Sequence, residues 1–355
     1  MRDNMIKFKE SKLLQTVLYI FVLALLSACI LAIFFRPTPE RYGINQYKRA
    51  MFLDTINGTA YRPFVYRALL PVTVRTIASL TPPNIHEAST AFVEDHRATI
   101  KIFETYQWET SAACTYFVAA ILMWLCLMGF GHYAARLTLF TLNLDETPLR
   151  RALLAGSVLL GLPAFFSYTS YIYDPPQLFL FTFALYLLAR GRMTAFLVTF
   201  VFCVFNKETA ILLIPIYAVV YHQQHTRRQF IGITTALIAI FAAIKLLINH
   251  VYQANPGFSV EFHLFPDNFL LLTYGWTFTG LLTFLALLWL LLYNWNKKPR
   301  FLKIAFLLTL PILIGMTFLF GLLNEWRDYY EAYPIAFALA VDSLQRLNTL
   351  LDRPT

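Results

Sequence analysis

Carboxylates and cations are scarce in this sequence, and those that could carry out chemistry fall in short polar segments between apolar runs. Charged residues make up 14% of the 355 residues, whereas soluble domains carry about a quarter. Carboxylates in such places can take a proton from a hydroxyl group, and cations can bind phosphate. The residues that we select on this basis are Asp54, Arg62, Arg67, Asp174, Lys207, Glu208, Glu325 and Arg327.

Each of these residues also has an ordinary structural explanation. Asp174 precedes Pro175 and Pro176, so capping a helix could be its whole role. Lys207 and Glu208 could be a solvated pair in a turn, and the residues at 325 and 327 could form an interfacial ion pair. Ionisable groups near hydrocarbon are costly and often mark a function. The hypothesis of a site therefore depends on the whole set rather than on one member.

Other chemical signatures are weak or missing. His222 and His225 have a spacing that can hold a metal, but their segment is basic and lacks supporting carboxylates or cysteines. The sequence contains no glycine-rich phosphate loop, GxSxG or HExxH motif. The net charge of +9 is spread over short clusters between apolar runs, which predicts membrane loops and no nucleic-acid partner.

The composition predicts an all-α polytopic membrane protein. Hydrophobic residues make up 58% of the chain and mean hydropathy is +0.56. Because roughly twenty apolar residues cross a bilayer, we predict about ten transmembrane helices. Their predicted ranges are 13–35, 110–133, 152–171, 176–189, 193–205, 209–221, 230–249, 268–293, 301–323 and 332–344.

The interval 36–110 is the long polar exception, and it predicts a large extracytoplasmic loop. Unpaired backbone groups cannot lie in hydrocarbon, so this loop must fold on one membrane face. We predict interfacial helices within it at 44–56, 66–80 and 85–110. With no internal repeat or flexible linker visible, residues 1–355 are predicted to form one integral-membrane domain.

The distribution of basic residues predicts the orientation. With both termini cytoplasmic, most Lys and Arg residues of the short loops lie inside, and the turn at 206–208 lies on the outer face. If 193–205 and 209–221 formed one long helix instead, every later segment would be inverted. The outer-face assignment brings the selected carboxylates and cations to one side of the membrane.

This layout resembles that of the GT-C superfamily of membrane glycosyltransferases, in its bacterial, polyprenyl-phosphate-sugar-dependent form. Three local patterns carry the resemblance: Tyr66-Arg-Ala-Leu-Leu-Pro71 in the first loop, Asn206-Lys-Glu-Thr-Ala210, and Glu325-Trp-Arg327 followed by a span with Pro334. The resemblance implies transfer of a sugar from a polyprenyl-phosphate donor to an envelope glycan, lipid or protein, outside a bacterial plasma (inner) membrane.

The resemblance also implies residue roles. Asp54, a first-loop carboxylate, is the first candidate for the catalytic base and Asp174 the second. Phosphate binding falls to Arg62, Arg67, Lys207 and Arg327, with Glu208 and Glu325 orienting these cations. No cofactor is assigned, and participation of a divalent metal ion stays open. The expected partners are the lipid-linked donor, the acceptor and membrane lipids.

Two other functions stay open at this point. A transporter or flippase for a lipid-linked or small anionic substrate would need broken helices and repeat symmetry. An inactive GT-C-like scaffold in envelope assembly is the other alternative, because the paired first-loop acids of the superfamily are absent here.

Overall fold

The fold is almost entirely helical. This computed structural model describes residues 2–39, 41–275 and 277–351, with the side chains of 13–39, 41–273, 275 and 277–349. The predicted cytoplasmic basic residues Arg2, Lys7, Lys9, Lys12 and Arg353 have side chains outside that part. The helices are α1 Arg2–Phe35, α2 Phe52–Asn57, α3 Leu69–Leu80, α4 Pro83–Asp95, α5 Arg97–Tyr106, α6 Ala113–Thr141, α7 Pro148–Leu160, α8 Asp174–Ala189, α9 Met193–Asn206, α10 Leu213–Tyr221, α11 Arg227–Val251, α12 Phe269–Tyr274, α13 Phe278–Leu292, α14 Arg300–Phe320 and α15 Tyr333–Leu351.

Four helical segments in the described part of the chain are long and apolar enough to cross a membrane. They are Leu13–Phe35, Thr110–Thr141, Arg227–Val251 and Arg300–Phe320. A fifth arises if Leu264–Thr273 and Phe278–Leu292 form one span, although these pieces are bent by 92°. The predicted span at 268–293 is therefore not one straight helix.

Helix directions alternate, which brings equivalent ends of the bundle together. α6 and α8 run parallel, since Tyr133 packs on Phe183 with ring centroids 4.4 Å apart. α10 runs antiparallel to α9, because Phe196 near the start of α9 stacks on Tyr217 near the end of α10. The chain thus reverses at Lys207, which has an extended backbone, and the two predicted helices are not merged into one.

The predicted span at 152–171 is wrong as a continuous helix. α7 ends at Leu160, and a 3-10 turn over Leu162–Phe165 contains Pro163. Proline removes a backbone donor and does not continue a helix. A short strand, β2 Tyr168–Thr169, follows and pairs in parallel with β1 Arg41–Tyr42.

The long polar interval folds as short helices, with boundaries that differ from the predicted ones. Residues 44–51 are not helical. The side chain of Asn45 instead joins this segment to its surroundings, since its Oδ1 accepts from Phe52 N at 3.2 Å and its Nδ2 donates to Gln107 O. The predicted helix at 85–110 is broken at His96 into α4 and α5. The helix predicted at 66–80 exists as α3.

The interval packs on the beginning of α6. Tyr116 of α6 stacks between Phe52 and Trp108, with centroid separations of 4.2 Å and 4.6 Å. The opposite end of the bundle carries Arg190, which lies over Phe140, and Lys298, which donates to Leu339 O at 2.8 Å. The long interval and the turn at Lys207 therefore lie at one end, and these basic residues lie at the other.

Candidate functional site

A buried ion pair lies at the tip of the α9–α10 reversal. Lys207 Nζ is 3.3 Å from Glu331 Oε1, and the two side chains are 4% and 0% exposed. Glu331 lies two residues before Tyr333, where α15 begins. Removing two charges from water is expensive unless further hydrogen bonds support them, so the neighbours of this pair decide whether it can exist.

Amide and hydroxyl groups supply that support. Gln177 Nε2 donates to Glu331 Oε1 at 2.9 Å, and the hydroxyl of Thr209 donates to the same oxygen. Asn206 Nδ2 donates to Gln177 Oε1 at 3.0 Å and to Tyr173 O at 3.1 Å. These bonds tie the reversal to the first turn of α8.

A second ion pair joins the long interval to the same reversal. Arg67 Nη2 is 2.9 Å from Glu208 Oε1, and Arg67 also donates to the hydroxyl of Tyr173. Burial alone would raise the pKa of Glu208, but the charges of Arg67 and Lys245 outweigh it and hold that pKa well below its usual range. Glu208 is thus an anion at any physiological pH.

The third pair comes from the segment between α14 and α15. Arg327 donates from Nε at 2.8 Å to Glu325 Oε1, and its Nη2 is 2.7 Å from the same oxygen. Its Nη1 lies 3.8 Å from Asp174 Oδ1 and 3.9 Å from Asp328 Oδ1. Both Arg327 and Glu325 are buried, with side chains 6% and 7% exposed.

Stacked aromatic rings hold the two guanidinium groups in place. Phe64, Tyr171 and Tyr173 stack in sequence, with centroid separations of 5.4 Å and 5.1 Å. Arg327 lies 4.2 Å from the ring centroid of Tyr171, and Arg67 lies 4.5 Å from that of Tyr173. Such cation–π contacts are favourable in desolvated surroundings, so the rings fix the spacing of both cations.

Asp174 is the carboxylate best suited to accept a proton. It is 1% exposed, its Oδ2 accepts from Tyr171 N at 3.3 Å, and its Oδ1 has no hydrogen-bond partner in the described part of the chain. Burial raises the pKa of Asp174, and the charges of Arg327, Lys207 and Arg67 oppose that effect only in part. A carboxylate with a raised pKa is a stronger base than an ordinary one.

Most of the selected residues meet in this group, which we call the charged cluster. It contains Arg67, Asp174, Lys207, Glu208, Glu325 and Arg327 together with Glu331. Asp54 and Arg62 are not joined to it by any hydrogen bond or ion pair of the described residues. Asp54 Oδ1 accepts only from Thr59 Oγ1, at 3.4 Å, and Arg62 Nη2 donates to Gly257 O at 2.7 Å.

Glu331 and the side chains that support it were not predicted from the sequence. Asn206 and Thr209 stand inside the quoted 206–210 pattern, and Gln177 lies three residues after Asp174 on the same face of α8. From these positions, the participation of Gln177, Asn206 and Thr209 in the site could have been predicted. Glu331 gave no such signal, because one acid beside a predicted span resembles an ordinary interfacial charge.

The surroundings of the charged cluster offer an approach but no evident metal site. A cleft of about 660 Å³ is lined by residues that include Tyr168, Leu322 and Asn324, the last directly before Glu325. Among the described residues, no group of three or more His, Cys, Asp or Glu side chains is arranged to hold a metal ion. The arrangement offers a base, cations and buried hydrogen-bonding groups.

Comparison with known proteins adds no relationship to these observations. The sequence matches no protein-family model and no curated protein, and the fold matches no solved structure.

Proposed function

We propose that this protein is a GT-C-like membrane glycosyltransferase. It transfers a sugar from a polyprenyl-phosphate donor to an envelope glycan, lipid or protein acceptor at the extracytoplasmic face of a bacterial plasma membrane. The observation that carries the proposal is the 3.8 Å separation of Asp174 Oδ1 and Arg327 Nη1 inside the charged cluster, where neither atom has a hydrogen-bond partner among the described residues.

The proposed reaction assigns the base to Asp174 rather than to Asp54. The acceptor hydroxyl donates to Asp174 Oδ1 and accepts from Arg327 Nη1. Its oxygen attacks the anomeric carbon of the donor while the bond from that carbon to the phosphate oxygen breaks. The phosphate leaves with the bonding electrons, and the hydroxyl proton moves to Asp174.

The cations of the cluster suit the leaving group. Charge that develops on the phosphate is stabilised by preorganised donors in a site that excludes water. Arg67 and Lys207 supply such donors near Asp174. Arg67 lies 4.5 Å from the ring centroid of Tyr173, the residue before Asp174, and Lys207 follows Asn206, whose amide donates to Tyr173 O at 3.1 Å. Glu208 and Glu331 orient these cations, as the measured pairs indicate.

The proposed topology has about ten spans with both termini in the cytoplasm. Alternating helix directions support this topology. The long interval and the charged cluster also lie at the end of the bundle away from Arg190 and Lys298. The positive-inside rule then assigns the cluster to the outer face.

A transporter is the second candidate, and the 92° bend between Leu264–Thr273 and Phe278–Leu292 favours it. Broken helices often line transport sites. None of the members of the charged cluster belongs to that bend, however, so the groups that would bind an anion lie on other elements. This separation favours the transferase.

Mass spectrometry of envelope glycans and lipid-linked sugars tests the proposal. We would compare a deletion strain with strains that carry the wild type or Asp174→Asn. Loss of one sugar, with accumulation of its polyprenyl-phosphate donor in both the deletion and Asp174→Asn strains, is expected. A complete precursor trapped inside would indicate a flippase. Unaltered glycans in the deletion strain would leave the inactive scaffold as the remaining candidate function.

A further inference from the structure

Glu208 differs from the other carboxylates of the charged cluster in its exposure. Its side chain is 39% exposed, whereas those of Asp174, Glu325 and Glu331 are 1%, 7% and 0% exposed. It also makes one ion pair, to Arg67. This carboxylate is therefore the member that can most readily rotate into solvent. The buried guanidinium of Arg67, 9% exposed, then needs another anion in its place.

Lys245 is a second cation beside Glu208. It lies on α11 one helical turn before Asn249, which accepts a hydrogen bond from Tyr66, the neighbour of Arg67, and its charge lowers the pKa of Glu208. No carboxylate of the described residues lies within ion-pair distance of its ammonium group. Its neighbours along α11, Leu246 and Leu247, are 70% and 53% exposed, and α11 is apolar enough to cross a membrane. An unpaired ammonium at such a surface is costly unless an anion reaches it.

The segment that carries Arg67 is attached to this face of α11. Tyr66 donates from its hydroxyl to Asn249 Oδ1 at 2.9 Å. Asn249 is one helical turn beyond Lys245 and so lies on the same side of the helix. Arg67, Glu208 and Lys245 are thereby held together at the junction of the long interval and the apolar surface of α11.

We infer that Glu208 is an internal substitute for a lipid phosphate. The phosphate arrives laterally along α11, binds between Arg67 and Lys245, and displaces the Glu208 carboxylate. A sugar phosphodiester and a carboxylate each carry one negative charge, so the exchange conserves the charge around both cations. The identity of the anion as a lipid phosphate rests on the proposed function.

Binding of farnesyl phosphate to the full-length protein in detergent micelles tests this inference, at about pH 5, where this monoester carries about one negative charge like the phosphodiester. Titration calorimetry should show about tenfold tighter binding for Glu208→Gln, because the competing anion is gone, and about tenfold weaker binding for Lys245→Gln. Lys245→Arg, which keeps the positive charge, should bind farnesyl phosphate with the affinity of the wild type. Asp342→Asn is the matched control, since it neutralises the carboxylate of another buried lysine pair, Lys298–Asp342; its affinity should equal that of the wild type.

Equal affinities of the wild type, Glu208→Gln and Lys245→Gln would overturn the inference. If Glu208→Gln does not fold, wild-type affinity of Lys245→Gln alone overturns it. Equally tight binding of inorganic phosphate would refute the lipid as the source of the anion. Failure of the glycan experiment with the expected affinity changes intact would remove the transferase and keep the anion site, so the two failures are distinguishable.

Discussion

Asp174 and Arg327 face each other across 3.8 Å, measured from Oδ1 to Nη1, and neither atom has a hydrogen-bond partner among the described residues. They come from the first turn of α8 and from the segment between α14 and α15. A buried donor or acceptor without a partner costs about 1–3 kcal/mol. A substrate hydroxyl that bridges the two atoms from the side would satisfy both, which is why we assign the acceptor hydroxyl to this position.

The assignment of the base predicts different outcomes for two aspartates. Asp174→Asn should lower the rate of sugar transfer by about 10²–10⁴-fold, the usual contribution of general acid–base catalysis. Asp54→Asn should retain transfer close to that of the wild type, because the carboxylate of Asp54 has only the hydroxyl of Thr59 as a hydrogen-bond partner among the described residues. Transfer to the acceptor by purified protein measures both. A large loss of transfer in Asp54→Asn with little loss in Asp174→Asn would instead identify Asp54 as the base.

The pH dependence of transfer should report Asp174. Its carboxyl must be ionised to accept a proton, and burial raises its pKa. Transfer should therefore fall as the pH drops through a value above the usual range of an aspartate. Because the charge of Lys207 lowers the pKa of Asp174, Lys207→Met should move this decline to higher pH.

Lys298→Met is the control for that shift. It removes a buried lysine whose partner, Asp342, belongs to another cluster and keeps Arg346 at 2.8 Å. Its pH profile should coincide with that of the wild type. A Lys207→Met profile with an unmoved acid limb would show that Asp174 is not the titrating base.

The sequence predicted the members of the charged cluster better than the shapes of the helices. Arg67, Lys207 and Arg327 could be grouped because ionisable residues beside apolar runs are rare and because charge counting assigned them to one face. Helix continuity was harder to predict. Hydropathy does not register the effect of Pro163 on the end of α7 or the side-chain bonds of Asn45.

The proposed preference for Asp174 over Asp54 as the base could not be predicted from sequence for a related reason. The resemblance puts Asp54 first through its position in the first loop, whereas the burial that favours Asp174 depends on residues distant along the chain. Arg327 is more than 150 residues beyond Asp174, and only the packing of α8 against the 325–331 segment brings them together. Short sequence motifs do not predict a contact between residues so far apart in the chain.

The Lys207–Glu331 pair should be a strong determinant of stability. Lys207→Met leaves the buried Glu331 without its cation, which should cost about 3–5 kcal/mol in the free energy of unfolding. Adding Glu331→Gln should recover part of that loss, since no uncompensated charge then remains. Unfolding in mixed detergent and SDS micelles measures the full double-mutant cycle. Strictly additive losses would contradict a direct interaction between the two side chains.

The orientation can be tested by accessibility of single cysteines in a background without Cys29, Cys114, Cys126 and Cys203. Position 207 is unsuitable because Lys207 is buried, whereas Glu87 and Gln223 are exposed at the two ends of the bundle. A membrane-impermeant maleimide added to intact cells should label a cysteine at 87, since the proposed topology has the long interval outside. It should label one at 223 only after the membrane is opened. Labelling of both positions in intact cells would contradict the alternating topology, and the opposite pattern would move the charged cluster to the cytoplasmic face, where an extracytoplasmic transferase could not work.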